Sequence, residues 1–177
     1  GMQPSRDWWR EHLSTAWSTI FHFTYLLYYV IVPTPLIVFL ARRRGDLVES
    51  YLDGVLATYL TCYLFYLLTP AAGPYYQFAR PSGLFVANWP ARLVYGVLGG
   101  GSAFGAAFPS SHVAATVAAT VCAWRGSRRL ATILAIPTTL LIVGVVYCQM
   151  HYAIDSAAGV FVGGVAATLA TARRRTA

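Results

Sequence analysis

Lysine is absent from this chain, and acid is scarce. Of the six acidic residues, five stand at or before Asp53, so Asp155 is the only acidic side chain in the remainder of the sequence. Charged residues make up 11% of the 177-residue chain, against about 25% in an ordinary soluble domain. With 57% hydrophobic residues and a mean hydropathy of +0.55, that shortage argues against a water-solvated globule and for lipid as the solvent. Cysteine is also sparse. Cys62, Cys122 and Cys148 all fall inside apolar runs. Their odd number and lack of ligand-like spacing argue against a disulfide framework or a cysteine metal site, and they read as small buried apolar groups.

What the chain does have is arginine in blocks. All 13 basic residues are arginine, and nine of them form three clusters: Arg42, Arg43 and Arg44; Arg125, Arg128 and Arg129; Arg173, Arg174 and Arg175. A nucleic-acid binder spreads basic residues over a folded face. Here they punctuate apolar segments, as topology signals do, and no nucleic-acid partner is expected. No cleavable signal peptide is expected, because the first apolar run is too long, and Gly1 ahead of Met2 reads as the remnant of a cleaved tag. The lack of lysine suggests a high-GC bacterial source.

Five apolar segments are candidates for membrane helices, at about 16–40, 51–69, 108–124, 130–148 and 155–172, each near the length needed to span a bilayer. The third and fifth are rich in small residues. Gly159 and Gly163 form a small-xxx-small pair, which suits close helix packing in lipid. Pro33, Pro35 and Pro137 are expected to kink or end their helices. The reading is an all-α, multi-pass transmembrane helical bundle in one domain, residues 1–177, of about five membrane helices. Residues 5–16 (SRDWWREHLSTA) mix tryptophan with charge and read as an N-terminal interfacial helix that anchors to the surface. With five spans the arginine clusters all fall on one side, the cytoplasmic one by the positive-inside rule. The N-terminus, the long loop 70–108 and the turn 149–155 then lie on the extracytoplasmic side, expected to be the outer face of a bacterial inner membrane. His12 reads as part of the anchor and His22 as a polar contact inside the bundle. Trp8, Trp9, Trp17 and Trp89 suit an interfacial belt. Tyr75, Tyr76 and Tyr152 lie near enough to the outer face to shape a lipid pocket.

Pro109-Ser110-Ser111-His112 opens the third apolar segment. Proline is tolerated in a first helical turn and serine caps it. The free amides of such a turn favour an anion like phosphate, and the glycines at 99–101 and 105 let backbone approach a ligand closely. His151 and Asp155 are four residues apart, so on a helix they share a face. A carboxylate on one imidazole nitrogen would fix the tautomer and leave the other free as a nucleophile. The fourth segment folds back on the third as a hairpin, which returns His151 to the face where His112 begins.

With these motifs in order, the sequence resembles the type 2 phosphatidic acid phosphatase superfamily over roughly residues 60–170. That family's second motif, P-S-G-H, corresponds to Pro109-Ser110-Ser111-His112. Its third places a histidine and an aspartate four apart, here His151 and Asp155, followed by Ala157-Ala158-Gly159. The resemblance implies a metal-independent lipid phosphatase or phosphotransferase. In it His151 attacks phosphorus to form a phosphohistidine, Asp155 orients and stabilises it, and His112 protonates the leaving oxygen. Ser110, Ser111 and nearby amides hold phosphate oxygens. No cofactor and no metal is expected. Two histidines in different protonation states would give a bell-shaped pH profile.

The chain departs from the family pattern. The first motif's lysine, seven residues before Arg80-Pro81, is Gly73 here, and the third motif's Ser-Arg is Gly144-Val145. Arg80 and Arg92 are the only basic residues of the outer loop and the candidates to compensate, Arg80 first. The same losses, with His151-Tyr152-Ala153-Ile154-Asp155 and the proline-rich Thr69-Pro70-Ala71-Ala72-Gly73-Pro74, resemble a branch typified by inositol phosphorylceramide synthase. Three alternatives stand beside a lipid phosphatase: a phosphotransferase that moves a phosphate-linked head group to a lipid or polyol alcohol, a non-catalytic membrane relative, and a zinc site on His112, His151 and Asp155 that lacks an HExxH helix. The expected partners are a lipid phosphate substrate and the surrounding membrane lipids, with a homo-oligomer left open.

Overall fold

The computed structural model describes residues 2–101 and 104–173; Gly1, and Arg174 and Arg175 of the third arginine cluster, lie outside them. The architecture is an all-α, multi-pass helical bundle. In chain order the helices are α1 (Pro4–Glu11), α2 (Thr15–Leu26), α3 (Tyr28–Ile31), α4 (Pro33–Ala41), α5 (Gly45–Leu68), α6 (Pro74–Gln77), a 3-10 turn at Gly83–Val86, α7 (Trp89–Gly101), α8 (Ser111–Gly126), α9 (Arg128–Tyr147) and α10 (Ala153–Arg173).

Among the described residues, four stretches are long and apolar enough to cross a membrane: Thr15–Ala41, Gly45–Leu68, Arg128–Tyr147 and Ala153–Ala172. They correspond to four of the five expected segments. The first is built from α2, α3 and α4, with Pro33 and Pro35 in the opening turn of α4, where a missing N–H is harmless. Pro137 neither ends nor divides α9, which runs unbroken through it; packed neighbours carry a proline through a membrane helix. The remaining segment, the third, forms α8, which has 16 residues, about 24 Å at 1.5 Å per residue, and falls short of a full span of about 30 Å.

The composition of α8 accounts for its place at the centre. Ala114, Ala115, Ala118, Ala119 and Ala123 have no exposed surface, and α3, α4, α5, α9 and α10 all pack on it. Glycine lets α10 lie closest. A Cβ at Gly159 would stand 2.7 Å from the Ser110 carbonyl oxygen, and one at Gly163 would overlap the backbone of Ala114. In lipid, where burial of apolar surface no longer drives association, such close packing holds helices together. Outward residues are large and apolar instead: Leu60, Leu64 and Leu67 on α5, and Phe161 and Leu169 on α10, are each more than half exposed.

Neighbour contacts orient the bundle. Phe39 of α4 lies against Gly126 at the end of α8, and Gly54 of α5 lies against Cys122, Ala167 and Ala170. The first two arginine clusters and the C-terminus of α10 therefore share one end. The N-termini of α8 and α10 share the other. The 70–108 segment covers that second end and is largely structured. Ala71 and Ala106 form a parallel bridge, with the Ala71 amide donating to Gly105 (3.0 Å) and the Ala107 amide to Ala71 (3.2 Å). Gly105 allows this turn with φ +90.

The N-terminal helix does more than rest on a surface. Arg6 and Asp7 pair at 2.5 Å, and the Arg6 guanidinium, then the Gln3 amide, hold the Asp7 carboxyl down to about 2. Arg6 and Arg10 are exposed. Ser5 and Trp9 are buried, and α1 packs on α9. The expected anchor thus seats one face on the protein itself.

Candidate active site

The first turn of α8 is fastened from two directions. Ser110 is the N-cap, its hydroxyl accepting the Val113 amide at 3.4 Å, worth about 1 kcal/mol in such a position. Tyr66 of α5 donates its hydroxyl hydrogen to the Pro109 carbonyl (2.7 Å) and accepts the Ser111 amide (3.1 Å). His112 projects from this turn. Its ring stacks on Tyr25 at 4.9 Å and meets Tyr28 at 4.5 Å. The Tyr25 hydroxyl lies 3.3 Å from Nε2, and the Tyr28 hydroxyl bonds that of Tyr59.

The α9–α10 connection carries the second histidine. The Gln149 amide donates to Val146 (3.2 Å) and the Met150 amide to Val145 (2.9 Å), with Gln149 at φ +57. This is the Schellman way of ending a helix, at a position that usually holds glycine. The His151 amide also donates to Val145, at 3.0 Å. His151 is 7% exposed, and its Nδ1 lies 3.0 Å from the Ala107 carbonyl oxygen. A carbonyl can only accept, so the neutral ring carries its proton on Nδ1 and its lone pair on Nε2.

Sequence reasoning expects the Asp155 carboxylate to fix that tautomer. In the structure its Oδ2 stands 3.7 Å from Nδ1, and Ala107 makes the hydrogen bond. The reason is local: Oδ2 accepts the Tyr152 amide at 2.8 Å, the reach-back bond of a helix N-terminus. Asp155 thus caps α10 and supplies negative charge beside the ring. Its carbonyl accepts the Ser110 amide at 3.0 Å, which ties the two motifs together.

Both histidines line a cavity of about 270 Å³ with Ser111, Gly73 and four tyrosines, Tyr25, Tyr63, Tyr66 and Tyr75. The imidazole centroids are 6.4 Å apart at 52°, close enough for one tetrahedral group to touch both rings. Among the described residues, no arginine lines it. Among the described residues no three His, Cys, Asp or Glu side chains gather as metal ligands.

The other expected site residues lie nearby but not in the cavity wall. Ser110 is fully buried in its cap. Arg80 is exposed and its guanidinium lies 4.8 Å over the Tyr75 ring, one side chain away from the cavity. Arg92 is exposed and bonds the Ala87 carbonyl at 2.7 Å. The missing cations have steric counterparts. A Cβ at Gly73 would lie 3.3 Å from the Met150 carbonyl oxygen, and Val145, where the family's arginine would fall, has no exposed surface and sits in the apolar core, so both positions serve close packing here. Tyr66, Tyr25 and Ala107 escape a reading of the sequence. The spacing of Tyr59, Tyr63 and Tyr66 was the available signal for the first, since it lines up one face of α5. Nothing local marks the other two.

A multi-pass bundle that brings two histidines and a carboxylate together, where parallel helices α8 and α10 begin, is the class these features define. The family model of the PAP2 superfamily matches residues 2–169, and the chain belongs to that superfamily. Membership supports an enzyme of phosphatase or phosphotransferase type. No curated protein and no solved structure matches the chain.

Proposed function

We propose that this chain is an integral membrane lipid phosphatase that removes phosphate from a lipid phosphate or diphosphate through a phosphohistidine at His151. The observation that carries the reading is the pairing of the imidazoles at 6.4 Å, with Nδ1 of His151 tied to Ala107 so that Nε2 is the nucleophile. Nε2 attacks phosphorus, the P–O bond to the lipid breaks, and the leaving oxygen takes a proton from His112. Water then attacks the phosphorus, His112 takes its proton, the N–P bond breaks and phosphate leaves. Asp155 balances the positive charge on the phosphorylated ring. A phosphate bound between the two rings supplies the negative charge that favours protonated His112 in the first step. The Ser111 hydroxyl and the His112 amide hold phosphate oxygens, Ser110 and Tyr66 keep that turn in shape, and Arg80 adds positive charge at the rim. The first two arginine clusters lie at the opposite end of the bundle, which by the positive-inside rule supports a site on the extracytoplasmic side of a bacterial plasma membrane.

The test is incubation of the purified protein with a panel of lipid phosphates, followed by assay of free phosphate and mass spectrometry of residue 151. Phosphohistidine at that position and phosphate release are expected, and both are expected to vanish in His151→Ala. Undiminished release by that variant would sink the reading.

One observation favours a second reading, transfer of a phosphate-linked head group to a lipid or polyol alcohol. With no arginine lining the cavity among the described residues and no lysine in the chain, a phosphomonoester or diphosphate brings charge that His112 alone offsets within the cavity wall. A phosphodiester carries a single negative charge and is less costly to bury there. This fits the branch resembling inositol phosphorylceramide synthase. Supplying a diester lipid with and without an alcohol acceptor separates the two: transfer predicts a new lipid product only when the alcohol is present.

A further inference from the structure

We propose that Gln149, together with Trp9 and Ser5 of α1, forms a positioning clamp that holds the His151 turn ready for phosphoryl transfer; this rests on the reading of His151 as the nucleophile. Gln149 occupies the left-handed position of the Schellman turn, where glycine fits without strain. It nevertheless carries a long polar side chain with no exposed surface. Both ends of its amide are engaged. Oε1 accepts the Trp9 indole N–H at 3.1 Å, and Nε2 donates to the Ala79 carbonyl at 3.1 Å. Arg10 of α1 donates to that same carbonyl at 2.9 Å.

The clamp closes on both sides of Gln149. The His151 carbonyl accepts the Ser5 hydroxyl at 3.0 Å, and the Tyr147 hydroxyl donates to the His12 carbonyl at 2.9 Å. Ser5 and Trp9 are four residues apart, so one face of α1 presents both. A turn needed only to reverse the chain would be served by glycine. A buried, fully bonded glutamine in a backbone conformation that disfavours it is accounted for when the side chain has a task. The turn it shapes delivers the His151 ring to the Ala107 carbonyl and to the cavity. A nucleophile displaced by about 1 Å loses rate more than affinity, because other groups grip the substrate.

The experiment uses the full chain, purified, with the lipid phosphate that it hydrolyses fastest and with His151→Ala as the reference. Trp9→Phe keeps a ring against Phe85 and removes the N–H donor. Gln149→Gly removes the side chain and relaxes the backbone. Each is expected to lower kcat about tenfold, with KM within about twofold, and to slow phosphohistidine formation in a single turnover by the same factor. The double variant, which leaves no orphaned indole N–H, is expected to be no slower than the slower single variant and to melt close to the parent. Ser5→Ala, a smaller change, decides the matter by the same kcat and KM readout if Gln149→Gly does not fold. Parental kcat in the double variant, or a rise in KM with kcat unchanged, overturns the clamp. If His151→Ala is dead while the double variant turns over at the parental rate, only the clamp fails; if His151→Ala stays active, the reading of the site fails with it.

Discussion

His112 and His151 face one cavity and are held by different means. His112 rides on a capped helix, between two tyrosine rings, and its Nε2 meets a single hydroxyl at 3.3 Å. His151 stands in a non-helical turn, with Nδ1 on the Ala107 carbonyl and its own carbonyl on Ser5. A hydroxyl can donate or accept, so Tyr25 tolerates His112 with or without its second proton; a carbonyl only accepts, so Ala107 admits one tautomer. The contrast separates a group that must trade protons from a group that must keep one nitrogen bare. It supports His112 as the acid and base, and His151 as the nucleophile.

The largest expected effects break that comparison directly. His151→Ala is expected to lower turnover by roughly 10⁴-fold or more whatever the substrate, since removing a nucleophile leaves only residual catalysis. His112→Ala is expected to cost about 10² to 10³-fold on a lipid phosphate. An aryl phosphate, whose leaving group needs no proton, sharpens the difference. With it the His112 variant is expected to form phosphohistidine at nearly the parental rate and then stall before water attack. Rapid-quench labelling checks this, and equal loss in both variants on both substrates would erase the distinction.

The two holding arrangements were unequally legible in the sequence. Long apolar runs announce themselves, and four of the five segments correspond to membrane-length helical stretches, the second of them opening well before its expected start, at Gly45, because a run of about 20 apolar residues matches the thickness of a bilayer and little else. The convergence of His112 and His151 follows from a hairpin. The length of α8 does not, since Phe108-Pro109 is apolar yet lies outside the helix. Tyr147-Cys148-Gln149-Met150 contains no glycine to signal the Schellman turn. The tautomer of His151 depends on Ala107, which stands beside the bridge between Ala71 and Ala106, a tertiary fact. Trp8-Trp9 with flanking charge reads alike whether an indole sits among lipid head groups or against Gln149. Arg80-Pro81 looks like part of a phosphate motif, while its guanidinium rests on Tyr75.

A middle-sized effect tests the fastening of the His112 turn against the looser contact at its ring. Tyr66 makes two bonds to Pro109 and Ser111, so Tyr66→Phe is expected to cost about 1–3 kcal/mol of stability and to lower kcat about tenfold as the first turn of α8 loosens. Tyr25→Phe removes one long contact and is expected to change kcat by about threefold or less, in line with a single weak hydrogen bond. Thermal melts and steady-state kinetics of the two variants give the ranking. A larger kinetic loss from Tyr25→Phe would mean that its hydroxyl takes part in proton transfer.

A third histidine gives the smallest expected effect and the sharpest contrast. His22 has no exposed surface, and its Nδ1 faces the Ser18 carbonyl at 2.8 Å and the Ser18 hydroxyl at 3.1 Å. Its Nε2 is buried with no hydrogen-bond partner among the described residues, and His22 is not among the residues that line the cavity shared by the two site histidines. An orphaned buried acceptor costs about 1–3 kcal/mol, and the Ser18 hydroxyl keeps bonds to Phe85 and Asn88 when the imidazole is gone. The ring already packs edge-on against Phe85 and Tyr95, so phenylalanine suits the space. His22→Phe is therefore expected to leave kcat unchanged and to hold or raise stability by up to about 1 kcal/mol, read from melting in detergent. A loss of about 2 kcal/mol in that measurement would mean that Nε2 has a polar partner in the membrane. A loss of turnover at unchanged stability would instead tie this imidazole to the chemistry of the other two.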